Sequence, residues 1–146
     1  MKGEDRQLLI LVGLGSLAGG ALRYLVALPW LDQPVDSLPW ATLLANVIGC
    51  VLIGFWFALS SAGRQWYTSV RVQSAIMAGF CGGLTTFSIF SLETLLLVEA
   101  GRWWLAVGYV IASATLWLCA VWSGHAMGCF LAEKLFEKND AGSCSS

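Results

Sequence analysis

Apolar positions run in four long stretches along this chain, and charged positions mark where each stretch stops. No Asp, Glu, Lys or Arg occurs from Ser37 to Gly63, from Val72 to Leu92, or from Trp103 to Ala132. Each gap exceeds the ~20 residues a helix needs to cross a bilayer. A fourth stretch, from Gln7 to Leu28, carries Arg23 as its one charge. The pattern predicts an all-α integral membrane protein, a single transmembrane domain over 1–146. Its spans fall at about 7–28, 40–60, 72–98 and 103–127, with a short polar, frayed tail over 133–146. The N-terminal MKGEDRQLLILVG carries acidic residues and lacks a small-residue cleavage pattern, so it reads as the start of span 1.

Small and polar residues recur at helical spacing inside these spans. In span 1, Gly13, Ser16, Gly20 and Arg23 follow one stripe, and Gly15 and Gly19 form a small-xxx-small pair of the kind that lets helix backbones approach. In span 2, Thr42, Asn46 and Gly49 share a face. In span 4, Tyr109, Ser113, Leu116, Ala120 and Ser123 form a mildly polar face. Pro34, Pro39, Asp32 and Asp36 mark a turn-rich loop between spans 1 and 2.

The stretch Gly79–Ser91, GFCGGLTTFSIFS, breaks the pattern. Seven of its thirteen residues are Gly, Ser or Thr. Each glycine costs about 0.8–1 kcal/mol against alanine in a helix interior, and Thr85 and Thr86 add β-branched stiffness. The third span is therefore predicted to be two half-helices with a break near Gly82–Thr86. In hydrocarbon, broken backbone survives only where protein buries it or it lines a polar cavity. Freed carbonyls there can hold a cation.

Composition agrees with a membrane setting. The chain is 58% hydrophobic and 12% charged, against about 25% charged in a soluble domain, and its mean hydropathy is +0.73. A net charge of −1 argues against a nucleic-acid partner. The five cysteines show no metal spacing, and His125 has no second candidate ligand, which leaves it structural or interfacial. There is no HExxH, GxSxG or P-loop, and the reading is not an enzyme.

What remains is a set of neutral donors within the spans: Thr42, Asn46, Thr85, Thr86, Ser88, Tyr109 and Ser113. Such donors suit an anion that must shed water, and a carboxylate-lined path would suit a cation or proton. Phe87 and Phe90, spaced i, i+3, can offer electropositive ring edges or simply pack. Asn46 is either helix-to-helix glue or part of an ion path. Arg23 is either a snorkelling side chain or a vestibule charge. Glu93 is either a functional intramembrane carboxylate or an interfacial one.

Taken together, GGALRY at Gly19–Tyr24, TLLANVIG at Thr42–Gly49 and GFCGGLTTFSIFS at Gly79–Ser91 resemble the Fluc/CrcB family of fluoride channels. The resemblance extends from span 1 to span 4. It implies a fluoride-selective channel in the cell membrane, a bacterial inner membrane, that exports fluoride passively. It further implies an antiparallel, dual-topology homodimer in the lipid bilayer, with a structural sodium ion at the interface. By the same resemblance, Asn46, Phe87, Phe90, Thr42, Tyr109 and Ser113 line the fluoride pathway and Arg23 sits in the vestibule. The backbone carbonyls of Gly82 and Thr85 hold the sodium. Two features depart from the family pattern. Trp117 stands where a further hydroxyl can continue the track after Ser113. If both termini share one side, Lys2, Arg6, Arg64, Arg71, Lys134 and Lys138 lie there against Arg23 and Arg102, a lean toward one orientation. Two other functions fit the residues less fully: a small proton-coupled exporter using Glu93, and a membrane assembly subunit that transports nothing.

Overall fold

The computed structural model describes residues 3–34, 37–61 and 69–143, and side chains over 5–34, 37–61 and 69–134. Lys2, Asp36, Arg64 and Cys144 lie outside the described residues, as does the side chain of Lys138. Among the described residues all regular structure is helical. The first helix is Gly3–Ala27, followed by one 3-10 turn, Leu28–Trp30. The second is Trp40–Ser61. The third span is composite and is described below. The last helix is Trp103–Ser143. Four segments, Asp5–Trp30, Trp40–Ser61, Val70–Glu99 and Trp103–Lys134, are long and apolar enough to cross a membrane.

The last helix runs beyond the fourth predicted span and through most of the tail expected to fray. Ala132 to Lys138 contains strong helix formers and no Gly or Pro, so nothing in its local propensity stops the helix.

The third span changes geometry four times. Val70–Gln73 is α-helical, Ser74–Cys81 is π-helical and Gly82–Leu84 is a final α-turn. Thr85 (φ −82°, ψ 155°) and Thr86 (φ −150°, ψ 123°) are extended. The helix restarts as Phe87–Glu99 with Thr86 as its N-cap, whose Oγ1 accepts the Ile89 N–H at 3.2 Å. That bond satisfies one of the donors every helix start leaves open. This half-helix ends at Gly101, whose φ of +74° suits glycine. The Arg102 N–H reaches Leu97 O at 2.9 Å and the Gly101 N–H reaches Val98 O at 3.0 Å, a Schellman closure that turns the chain into the last helix.

The helices pack as two close pairs. In one, Gly15, Gly19, Gly79 and Gly83 bring the first helix against the first half of the third span. A methyl group at Gly19 would strike the Phe80 carbonyl oxygen and lie 2.8 Å from Leu84 N; one at Gly83 would lie 2.9 Å from the Cα of Ser16. In the other pair, Gly54, Gly124 and Gly128 join the second and last helices. A methyl at Gly124 would strike the Val51 carbonyl oxygen, and one at Gly54 would lie 2.9 Å from His125 N. These are the small-residue seams that membrane helices use for close van der Waals contact. In the first helix the Gly15 and Gly19 pair faces this seam, and Gly13 and Gly20 of the predicted stripe face open space.

A small core of Leu43, Phe90, Leu97, Ala106 and Tyr109 ties the second half of the third span to both members of the second pair. On the last helix the buried line runs through Ala106, Tyr109, Ser113 and Ala120. Leu116, 43% exposed, and Ser123, exposed, stand off it. His125 packs its ring 6.1 Å from that of Phe57 and lies 3.5 Å from the Cys129 sulfur.

Candidate functional site

The break at Thr85–Thr86 is held by the second helix. Thr42, Asn46 and Gly49 face it as their spacing predicts. Asn46 Nδ2 donates to the Thr86 carbonyl at 3.0 Å, and its Oδ1 accepts the Thr86 N–H at 2.7 Å. Both backbone groups of the extended residue are therefore satisfied by one buried side chain. In a continuous helix the Thr86 N–H would have gone to the Gly82 carbonyl. The amide of Asn46 has a second N–H, and the residue borders a cavity of about 180 Å³ that Thr85, Thr86, Phe87 and Trp117 also line. Thr85 fixes its own end of the break, its Oγ1 and its N–H both donating to the Cys81 carbonyl at 2.9 Å.

One turn from Asn46, Thr42 Oγ1 donates to Glu93 Oε1 at 2.7 Å. Tyr109 Oη donates to Glu93 Oε2 at 3.0 Å. Thr42 and Tyr109 are buried, and Glu93 is half-buried. In this arrangement both hydroxyls serve the carboxylate. Thr86, Phe90 and Glu93 stand at i, i+4 and i+7, so helical spacing alone places Glu93 on the face that carries the break.

Thr42 and Glu93 open onto a cavity of about 430 Å³ together with Gly20, Arg23 and Tyr24. Arg23 reaches inward, its Nη1 donating to the Thr85 carbonyl at 3.4 Å. The arginine thus links the wide cavity to the break.

The aromatic residues divide between surface and core. Phe87 is 71% exposed and Phe90 is buried, with ring centroids 5.6 Å apart. Phe90 also packs against Tyr109 at 5.1 Å and edge-on against Trp117 at 4.9 Å. Ser113 is fully buried, and its Oγ has no hydrogen-bond partner among the described residues. Gly82 is exposed and Thr85 half-buried.

Hydrogen bonds, ring contacts and the two cavities join Arg23, Thr42, Asn46, Thr85, Phe87, Phe90 and Tyr109 around the break. Ser113 lies one turn beyond Tyr109, Gly82 is exposed in the last turn before the break, and His125 lies apart beside Phe57. Sequence reasoning missed that Glu93 binds two of the predicted donors and that Trp117 lines the same cavity as Asn46.

Comparison with known proteins identifies the family. A family model described as CrcB-like protein, Camphor Resistance (CrcB), matches residues 10–125. The chain belongs to the CrcB family. It is 43% identical over 115 residues to the fluoride-specific ion channel FluC of Paramagnetospirillum magneticum, a match covering 79% of this chain and 90% of that protein. It is 43% identical over 115 residues to fluoride-specific ion channel FluC 1 of Rhodopseudomonas palustris, covering 79% and 82%. The FluC of Shewanella frigidimarina is 40% identical over 116 residues, covering 80% and 91%. As a CrcB-family member with four membrane-length helices, the chain is a multi-pass membrane protein and not an enzyme.

Proposed function

We propose that this chain is a fluoride-selective channel that lets fluoride leave the cell passively and that works as an antiparallel, dual-topology homodimer. The observation that carries the reading is the buried Asn46 clamp on Thr86, which keeps a helix break stable at the centre of a cluster of neutral donors. Membership of a family whose relatives are named fluoride-specific channels points the same way. Asn46 has a further N–H to offer beside the 180 Å³ cavity, and Ser113 offers an O–H. Phe87 and Phe90 offer ring edges. Thr42 and Tyr109 take part by turning from Glu93, and Arg23 gathers anions in the larger cavity.

The exposed Phe87 and Gly82 favour a second copy at this surface, where the family resemblance puts a sodium ion. The donor set fits a hard monovalent cation. Gly82 O has lost its helical donor to Asn46, and Thr85 O keeps one lone pair beside its bond from Arg23. Bound sodium would add fixed positive charge near the anion path. Gly82 and Thr85 from each copy would hold it.

Growth tests the function. Bacteria stripped of their own fluoride exporter should grow in fluoride when they carry the wild-type chain and fail when they carry Phe87→Ile. A membrane-inserted wild-type protein that gives no protection contradicts the reading.

A further inference from the structure

We infer that Trp117 is a hydrogen-bond donor to the permeating anion, acting through its indole Nε1–H. The inference rests on the anion-channel reading above and names a residue of that path. Nε1 of Trp117 is buried and has no hydrogen-bond partner among the described residues. The side chain lines the cavity of about 180 Å³ shared with Asn46, Thr86 and Phe87. One turn earlier on the same helix, Ser113 Oγ is likewise buried without a partner. Two orphaned donors at i and i+4 lie on one helix face, about 6 Å apart along the axis.

Chemistry selects the ligand. A serine hydroxyl can serve a cation through its oxygen or an anion through its hydrogen. An indole N–H can only donate. It offers nothing to a metal cation and cannot relay a proton as a hydroxyl does. The group that satisfies Trp117 Nε1 is therefore an acceptor, and a small anion in the cavity that Trp117 shares with Asn46 supplies one. Phe90 packs edge-on to the indole at 4.9 Å, with the ring planes at 68°, which fixes the direction of the indole plane. A contact from the N–H to the Phe90 face would be a weaker bond than one to an anion.

The test is a titration of the wild-type protein, ¹⁵N-labelled at its tryptophan indoles. The Trp117 signal is assigned by its loss in Trp117→Phe and, should that variant misfold, in Trp117→Tyr. Fluoride should move the Trp117 indole proton downfield and saturate, and chloride should leave it in place. Trp117→Phe, which keeps the ring and removes the N–H, should slow fluoride efflux at least tenfold with micellar elution unchanged. An indole signal that stays upfield and indifferent to fluoride overturns the inference. So does a well-folded Trp117→Phe that conducts as fast as wild type or faster, since the ring would then only narrow the path. If the wild type conducts fluoride and the indole does not respond, Trp117 alone is misassigned. If the wild type conducts none, the channel reading itself fails.

Discussion

Asn46 replaces, with one side chain, what the helix gives up at Thr86. Removing it leaves the N–H and C=O of a buried residue unpaired. Each such group costs about 1–3 kcal/mol, so Asn46→Leu should lower stability on the order of 2–6 kcal/mol. Asn46→Asp should also weaken the clamp, because it keeps the acceptor for Thr86 N–H and sets a carboxylate oxygen against Thr86 O. Thermal melting in detergent measures both. Wild-type melting in Asn46→Leu would mean the clamp is decoration. At this scale the sequence showed which face mattered: Thr42, Asn46 and Gly49 do share a side and do meet the break. It did not show the partners. Asn46 and Thr86 are separated by 40 residues and Thr42 and Glu93 by 51, and no spacing rule links residues on different helices.

Among the elements, the glycine seams set which helices become neighbours. Gly124 lies against the backbone of Val51, and its added side chain would have to push a carbonyl aside. Gly124→Leu should therefore cost about 3 kcal/mol, the upper part of the usual overpacking range. Gly108 is also in the last helix but has nothing within 4 Å of a built methyl, so Gly108→Ala should be neutral or stabilise by up to about 1 kcal/mol through helix propensity. Melting temperatures of the two variants check the contrast, and equal effects would refute the seam. The break itself was legible, since three glycines and two threonines weaken one stretch of the third span. The π-helical turn over Ser74–Cys81 was not. Its one wider turn leaves no mark on an apolar sequence whose residues would suit an α-helix as well. Nor was the buried line on the last helix fully legible. Leu116 fits the period of Tyr109 and Ser113 but is 43% exposed, at a cavity that it lines with Leu43, Leu44 and Val47 of the second helix.

For the whole molecule, two glycine-sealed pairs joined by a small core leave Phe87, Tyr24 and Leu17 largely exposed, at 71%, 61% and 72%. Four helices with so few polar groups wrap a polar path poorly, and a second copy would complete it. The proposed antiparallel dimer sets a topology prediction against the Lys/Arg lean read from the sequence. Arg23 counts on the side with fewer charges, and it is half-buried and bonded to Thr85, so discounting it sharpens that lean. With the five native cysteines replaced, Ser37→Cys should react with an impermeant reagent from both sides of the membrane in comparable amounts. Labelling from one side alone would rule out dual topology.

The most direct measurement is anion efflux from liposomes that hold the purified protein, followed with a fluoride electrode and, in parallel, with chloride detection and no proton gradient. The account predicts rapid fluoride release and no chloride release. Retention of fluoride by vesicles containing well-folded protein, or release that requires a proton gradient and vanishes in Glu93→Gln, would contradict it.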